Sequence, residues 1–293
     1  MFGILLVDKL QGVTSHDVVD AVREVFGIRK VGHAGALDPL ATGLVIVAVG
    51  PATRFLQFLQ IEPKVYECSA VFGIETDTQD AQGVVIAQAD PPNDLTDRIR
   101  RELPSFCGDV RQSPPAYSAV KVGGKPLHRY ARAGIAVEAP PRVVHVVAFD
   151  LIGADEPTAT FRIVCAGGTY VRTLIHDLGK RLGCGAHVTA LRRIAAGRFD
   201  VRDAVATHAI RRESLIPLAE ALEPMPIVSL SRDEAFRIRN GQRVATTTPV
   251  PAAARVAVAD ESGEVFCVAD GRDGTLQPIC VMPARDDDGA VRA

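Results

Sequence analysis

The segment Gly32-His33-Ala34-Gly35-Ala36-Leu37-Asp38-Pro39-Leu40-Ala41-Thr42-Gly43 places a carboxylate and an imidazole in a glycine-punctuated loop directly before an apolar strand. Glycine permits backbone angles that other residues avoid, and Pro39 stiffens the chain just after the acid. Asp38 is therefore held firmly, as a nucleophile or an acid-base group must be. Alone, an Asp-Pro pair reads as a turn. The surrounding elements decide.

Upstream, Gly3-Ile4-Leu5-Leu6-Val7 reads as a short strand. Thr14 with Asp17 three residues on reads as an N-cap with an acidic partner, opening a helix over 15–26 whose Val18, Val19, Val22, Val25 and Phe26 share a face. Gly27 stops it. The run Leu44-Val45-Ile46-Val47-Ala48-Val49 reads as a strand buried on both faces. Further strand-like runs at 65–73, 143–151 and 159–165 alternate irregularly with helix-like segments at 52–60, 95–103, 170–182 and 214–222. That order suits an α+β fold with a mixed, largely antiparallel sheet better than a doubly wound one.

Together with Gly12-Val13-Thr14-Ser15, Lys64-Val65-Tyr66-Glu67, Gly168-Thr169-Tyr170-Val171-Arg172 and Leu191-Arg192-Arg193, the loop resembles the TruB family of tRNA pseudouridine synthases, which isomerise uridine-55 in the T loop. The likeness covers about residues 3 to 220. The chain departs from the pattern at Leu10, where the family has proline after the lysine, and at Ala34 and Ala36, where threonines are usual. The position of the nucleophile is unchanged, and a loop hydrogen bond is forgone.

The resemblance implies an isomerase that needs neither cofactor nor metal. Asp38 would attack or stabilise the sugar, and Arg172 would keep it ionised through paired hydrogen bonds. Tyr66 would receive the extruded base, its hydroxyl assisting proton transfer. Tyr170 and Leu191 would line the pocket, Lys9 and Lys64 would bind substrate, and His33 would position RNA rather than act as a base.

Residues 112–134 mix Pro-Pro, Gly-Gly, basic residues and two tyrosines. The composition suits a mobile segment closing over a stem-loop, within an insertion over about 112–146 that grips the T arm in the family. Glu223-Pro224-Met225-Pro226 marks a boundary between a catalytic domain at 1–223 and a small β-rich module at 227–284, PUA-like and RNA-binding by resemblance. A disordered tail is expected at 285–293.

The formal net charge of -2 hides segregation along the chain. From Glu75 to Asp97 there are six acids and no Lys or Arg; 98–142 and 172–212 each carry nine basic residues against three acids. Those basic stretches suit one phosphate-binding face, with the acidic segment turned away. Six cysteines lie scattered without Cys-x-x-Cys spacing, Cys184 and His187 lack a second ligand pair, and the turns near Asp270 and Asp286 lack a calcium-loop pattern. No phosphate loop of Walker or dinucleotide type is present. The opening residues lack a secretory leader and no apolar run has membrane length, so the expectation is a cytoplasmic monomer acting on tRNA without an obligatory protein partner.

Three other classes fit some of these features. A tRNA-folding chaperone needs only binding surfaces, but the presence of Asp38, Tyr66, Tyr170 and Arg172 speaks against lost catalysis. A guide-RNA-dependent pseudouridylase is disfavoured by the lack of a lysine-rich tail. A glycosidase needs a second carboxylate against Asp38, which no motif offers.

Overall fold

The computed structural model describes residues 1–246 and 254–283. The acidic turn at Asp286, the tail 285–293 and the last position of the C-terminal module lie outside them.

The strands are β1 (Gly3–Lys9), β2 (Val31–Ala34), β3 (Thr42–Val49), β4 (Lys64–Phe72), β5 (Ile74–Thr76), β6 (Val85–Gln88), β7 (Gly108–Gln112), β8 (Lys121–Val122), β9 (Lys125–Pro126), β10 (Arg142–Asp155), β11 (Thr158–Cys165), β12 (Ala186–Ala196), β13 (Phe199–Asp200) and β14 (Val205–Ala206). In the C-terminal part they are β15 (Ile227–Ser229), β16 (Val244–Ala245), β17 (Arg255–Ala259), β18 (Val265–Arg272) and β19 (Thr275–Val281). The helices are α1 (Ser15–Phe26), α2 (Leu95–Glu102), α3 (Leu127–Arg132), α4 (Val171–Arg181), α5 (Leu218–Ala221) and α6 (Arg232–Arg239).

A ten-stranded sheet runs β14-β1-β3-β12-β4-β11-β10-β7, with β2 on β3 and β13 on β12. Its pairs are antiparallel except β1 with β14 and β3 with β12. The fold is the expected mixed α+β type. β1 occupies one edge of β3 along its length; the other edge takes β12 at Thr42 and Gly43, then β2 from Ile46 to Val49. The loop 35–41 leaves the sheet at that fork. The fork needs glycine at 43, where φ is +98° and a Cβ would lie 2.2 Å from the Arg193 carbonyl oxygen.

Period-two alternation splits the apolar strands between two cores. Leu5, Val7, Val45, Val47 and Val49 pack with α1 and α4, while Ile4, Leu6, Leu44, Ile46 and Ala48 pack with Val256, Val258 and Phe266 of the C-terminal part. Burial on both faces is why 44–49 reads as an unbroken apolar run. A five-stranded sheet in the order β15-β17-β18-β19-β16 forms the β-rich module. It shares its core with the outer face of β1 and β3 rather than hanging free beyond Pro226.

Several local expectations change. Thr14 and Asp17 form a full capping box and Gly27 caps α1 in the left-handed region, but Val25 faces solvent. Residues 50–58 form a 3-10 helix rather than an α-helix, and 214–222 contracts to α5 after Pro217. β12 carries Arg192 and Arg193 side by side and shifts register after Val188 and Arg193, so it shows no regular apolar alternation in sequence.

The insertion has structure of its own. β8 pairs with β9, the Tyr130 hydroxyl donates to the Val122 carbonyl at 3.2 Å, and the Lys125 ammonium lies 4.7 Å from the Tyr130 ring centre.

The charge map also differs from expectation. On α2, Arg98 and Arg101 pair with Asp94, and Arg100 with Asp97, so this basic run is neutralised by its own helix. Among the described residues the exposed cations Lys121, Arg129 and Arg132 of the insertion form no ion pair, and neither do Arg29, Lys30, Arg211 and Arg212 elsewhere on the surface.

Candidate active site

Asp38 sits in the fork loop with its backbone fixed on both sides. The Ser15 hydroxyl, buried at the first turn of α1, accepts from the Leu37 amide at 2.8 Å and donates to the Leu37 carbonyl at 3.3 Å. On the far side the Gly12 amide donates to the Pro39 carbonyl at 2.8 Å, and the Ala41 amide to the Asp38 carbonyl at 3.0 Å. The loop is thus sewn to the 12–15 turn without hydroxyls at 34 and 36. Ser15→Ala should leave two buried backbone groups unpaired, costing about 1–3 kcal/mol of stability. The looser loop should slow turnover about 10- to 100-fold. Thermal melts and single-turnover rates check this, and a wild-type rate would remove Ser15 from the positioning role.

Arg172 lies on the first turn of α4, its side chain 4% exposed against 37% for Asp38. Its Nε is 2.8 Å from Asp38 Oδ2, but the N–H is not directed at an acceptor. Nη1 donates to the Thr78 carbonyl at 2.6 Å and lies 3.3 Å from Asp80 Oδ2, and Nη2 donates to the Tyr117 carbonyl at 3.0 Å. The expected paired carboxylate hydrogen bonds are therefore absent. The guanidinium has too many partners to offer Asp38 two nitrogens. It forms the floor of the site and leaves the aspartate reachable from solvent.

Asp80 was not legible as a site residue. It lies in the acidic stretch expected to face away, yet the turn after β5 buries it against Arg172. Its Oδ1 accepts from the Thr78 hydroxyl at 2.7 Å and the Gln82 amide at 3.0 Å. Both of its oxygens thus face donors, as burial of a carboxylate requires.

Arg193 is the other unexpected residue. In the run Leu191-Arg192-Arg193, Leu191 is buried in the core opposite Cys68 of β4, and Arg192 pairs with Asp8 at 2.7 Å. Arg193, 1% exposed, donates to the Leu44 carbonyl at 2.7 Å and the Gly35 carbonyl at 3.0 Å, tying β12 to the start of the loop. A residue in register with both Tyr66 and Gly43 has to point into the site, but that register is invisible in sequence.

Tyr66 is buried on β4 beside Arg193. Burial pushes its phenol above the ordinary range, Arg193 opposing and Asp38 reinforcing, so the hydroxyl is protonated at neutral pH. Lys64, at the start of β4, reaches Gly35 and Gly167; a Cβ at either glycine would lie 3.4 Å from its ammonium. Burial and Arg193 lower its pKa. Tyr170 caps α4 two residues before Arg172, its ring 5.0 Å from the Arg142 guanidinium carbon. His33 stands on β2 rather than in the loop. Burial, Arg193 and His16 lower its pKa, so the ring is neutral at pH 7, and its buried Nδ1 finds no partner among the described residues.

Lys9 differs from its expected substrate contact. It is wholly buried, its ammonium donating to the Val13 carbonyl at 2.7 Å and the Leu10 carbonyl at 3.0 Å. It braces the turn that holds Asp38 and cannot touch a ligand there. Burial pushes its pKa down to about 8 from the ordinary 10.5, with Asp38 and Asp17 opposing. Between those values the unfolded chain binds more protons than the folded one, so this group's contribution to stability rises with pH. Melting of wild type and Lys9→Met across the window should show wild type gaining on the variant as pH increases. A constant offset would refute the assignment.

The site thus combines a reachable aspartate, a buried guanidinium beneath it, a protonated phenol and a neutral imidazole. Such a set can attack an electrophilic carbon, hold the resulting charge and donate to a base.

Comparison with known proteins gives one answer along the chain. The family model for the N-terminal domain of TruB family pseudouridylate synthases matches residues 23–171. The model for the tRNA pseudouridylate synthase B C-terminal domain matches 172–225, and that for the C-terminal part of pseudouridine synthase II TruB matches 226–282. A tRNA pseudouridine synthase B from Syntrophotalea carbinolica is 47% identical over 82% of this chain and 81% of its own. The protein of that name from Thermobifida fusca is 40% identical over 96% of this chain and 98% of its own. Among solved structures, a Cbf5-Nop10-Gar1 complex has a chain that matches with a TM-score of 0.69 at 24% identity, over 99% of this chain and 87% of that one; it shares the fold.

Proposed function

The chain belongs to the TruB family of pseudouridylate synthases, and from that premise we propose that it isomerises uridine to pseudouridine at position 55 in the T loop of tRNA. Asp38 acts as the nucleophile on a flipped-out uridine, and the reaction draws on no cofactor or metal. The observation that carries this reading is the 2.8 Å approach of a buried Arg172 to a solvent-reachable Asp38 whose loop is fixed on both sides.

In the reaction the bond from C1′ to N1 of uracil breaks as Asp38 takes up the sugar carbon or its developing positive charge. The freed base turns, C5 bonds to C1′, the C5 proton leaves and N1 gains one, so atoms and charge balance. Arg172 places its positive charge beside Asp38. Tyr66 supplies an aromatic face for the extruded base and a protonated hydroxyl for a uracil oxygen. Leu191 and Tyr170 close the pocket walls. Lys64 and the neutral His33 contact the RNA, and Lys9 acts only through the 12–15 turn.

The free cations Lys121, Arg129 and Arg132 support an insertion that grips the T-arm backbone. In this reading the catalytic domain spans 1–223 and the β-rich module adds RNA contact. The enzyme works in the cytoplasm as a monomer without guide RNA or protein partner. Among the described residues no helix is long and apolar enough to cross a membrane.

The test is tritium release from a tRNA transcript labelled at uridine C5. One equivalent should be released per tRNA, and none from a transcript with cytidine at position 55. Tight binding without release would favour the chaperone alternative.

A further inference from the structure

The ends of the insertion meet on one rung of the sheet, where Gln112 of β7 faces Arg142 of β10. Both residues turn toward the segment before α4. The Gln112 amide, 1% exposed, spans the Tyr170 backbone: Nε2 donates to the Tyr170 carbonyl at 2.9 Å and Oε1 accepts from the Tyr170 amide at 2.8 Å. Arg142 stacks over the Tyr170 ring and donates to the Gly168 carbonyl. Helix α4 has no side-chain cap of its own at Tyr170, so these two residues set the direction of its first turn, which carries Arg172. Within the insertion, the Tyr117 carbonyl accepts from Arg172 itself.

We propose that Gln112 is a positioning residue that couples the RNA-gripping insertion to the alignment of Arg172 with Asp38. It works by clasping the Tyr170 backbone. Arg172 Nε lies within 2.8 Å of Asp38 yet its N–H is not directed at it. A small rotation of the first turn of α4 completes that bond, and seating of the T arm on the insertion pulls on that turn through the Gln112–Arg142 rung. Productive alignment is thereby reserved for bound substrate. The inference rests on the proposed tRNA isomerisation and assigns a role that motif spacing does not reveal.

The experiment uses the full chain and the C5-tritiated tRNA transcript, with affinity from filter binding and rate from single turnover at saturating enzyme. Gln112→Leu keeps the volume and removes both hydrogen bonds. Its affinity should stay within about threefold while its rate falls about 10- to 100-fold, the scale of loss for a reacting group misplaced by about an ångström. Gln112→Glu places a second acceptor against the Tyr170 carbonyl when ionised and restores the donor–acceptor pair when protonated. Burial raises the pKa of such a carboxyl, so this variant should be slow at pH 8 and recover toward pH 6, a rise that wild type lacks. Should the leucine variant fail to fold, the glutamate variant decides the matter within one chain at two pH values. Wild-type rates in both variants, or affinity and rate falling together without recovery at low pH, would overturn the coupling. Absence of release from wild type would instead overturn the proposed reaction.

Discussion

Asp38→Ala is expected to lower C5-tritium release to background, a loss of at least about 10⁴-fold, because no other group can take over a missing nucleophile. Transcript affinity should change little. The side chain is one short carboxylate, so it contributes to the chemistry rather than to holding RNA. The fold should also survive. Leu37 and Pro39 remain tied to Ser15 and Gly12 through backbone atoms that the substitution does not touch. Substantial residual release would remove Asp38 from the mechanism. Release lost together with binding would make it an RNA contact instead.

Arg172→Ala should be nearly as damaging to activity, by about 10³-fold, since it removes the preorganised charge beside the nucleophile. Unlike the Asp38 change, it should also destabilise. Asp80 is 6% exposed and would lose its cationic partner, and breaking a buried pair from one side costs about 3–5 kcal/mol. Arg172→Lys should rescue neither property, because one ammonium cannot span the Thr78 carbonyl, the Tyr117 carbonyl, Asp80 and Asp38. The double variant Arg172→Ala with Asp80→Asn removes the orphaned charge and should recover melting temperature without recovering rate. Recovery of both would show that Arg172 serves only to neutralise Asp80.

The two cores explain why strand positions were easier to read than the site. Leu5 and Val7 face one core while Ile4 and Leu6 face the other, so apolar runs in β1 and β3 follow from burial alone. β12 lies next to β3 and β4 in the same sheet but spends its positions on Arg192, which pairs with Asp8, and Arg193, which ties down the loop. A strand that carries positioning residues loses the pattern by which strands are recognised. Arginine clustering misleads for a related reason. Charge counts along the chain ignore the partners that folding supplies, and the cations of α2 are matched within their own helix.

By itself the sequence determined what depends on near neighbours. The Thr14–Asp17 capping box, the glycine stop at 27, the apolar faces of β1 and β3 and the stiff loop around Asp38 all arise from residues a few positions apart, where backbone preference and side-chain reach suffice. The family motifs add Arg172 and Tyr66 as candidates without saying what surrounds them. Only the tertiary structure decided that Asp80 turns inward, that Arg193 rather than Leu191 secures the loop, that Lys9 is sealed behind the 12–15 turn, and that Gln112 reaches Tyr170. The contacts of Asp80, Arg193 and Gln112 join elements tens of residues or more apart, and such a hydrogen bond leaves no mark on the local chemistry of either segment; Lys9 bonds to near neighbours, but its burial depends on what packs around the turn.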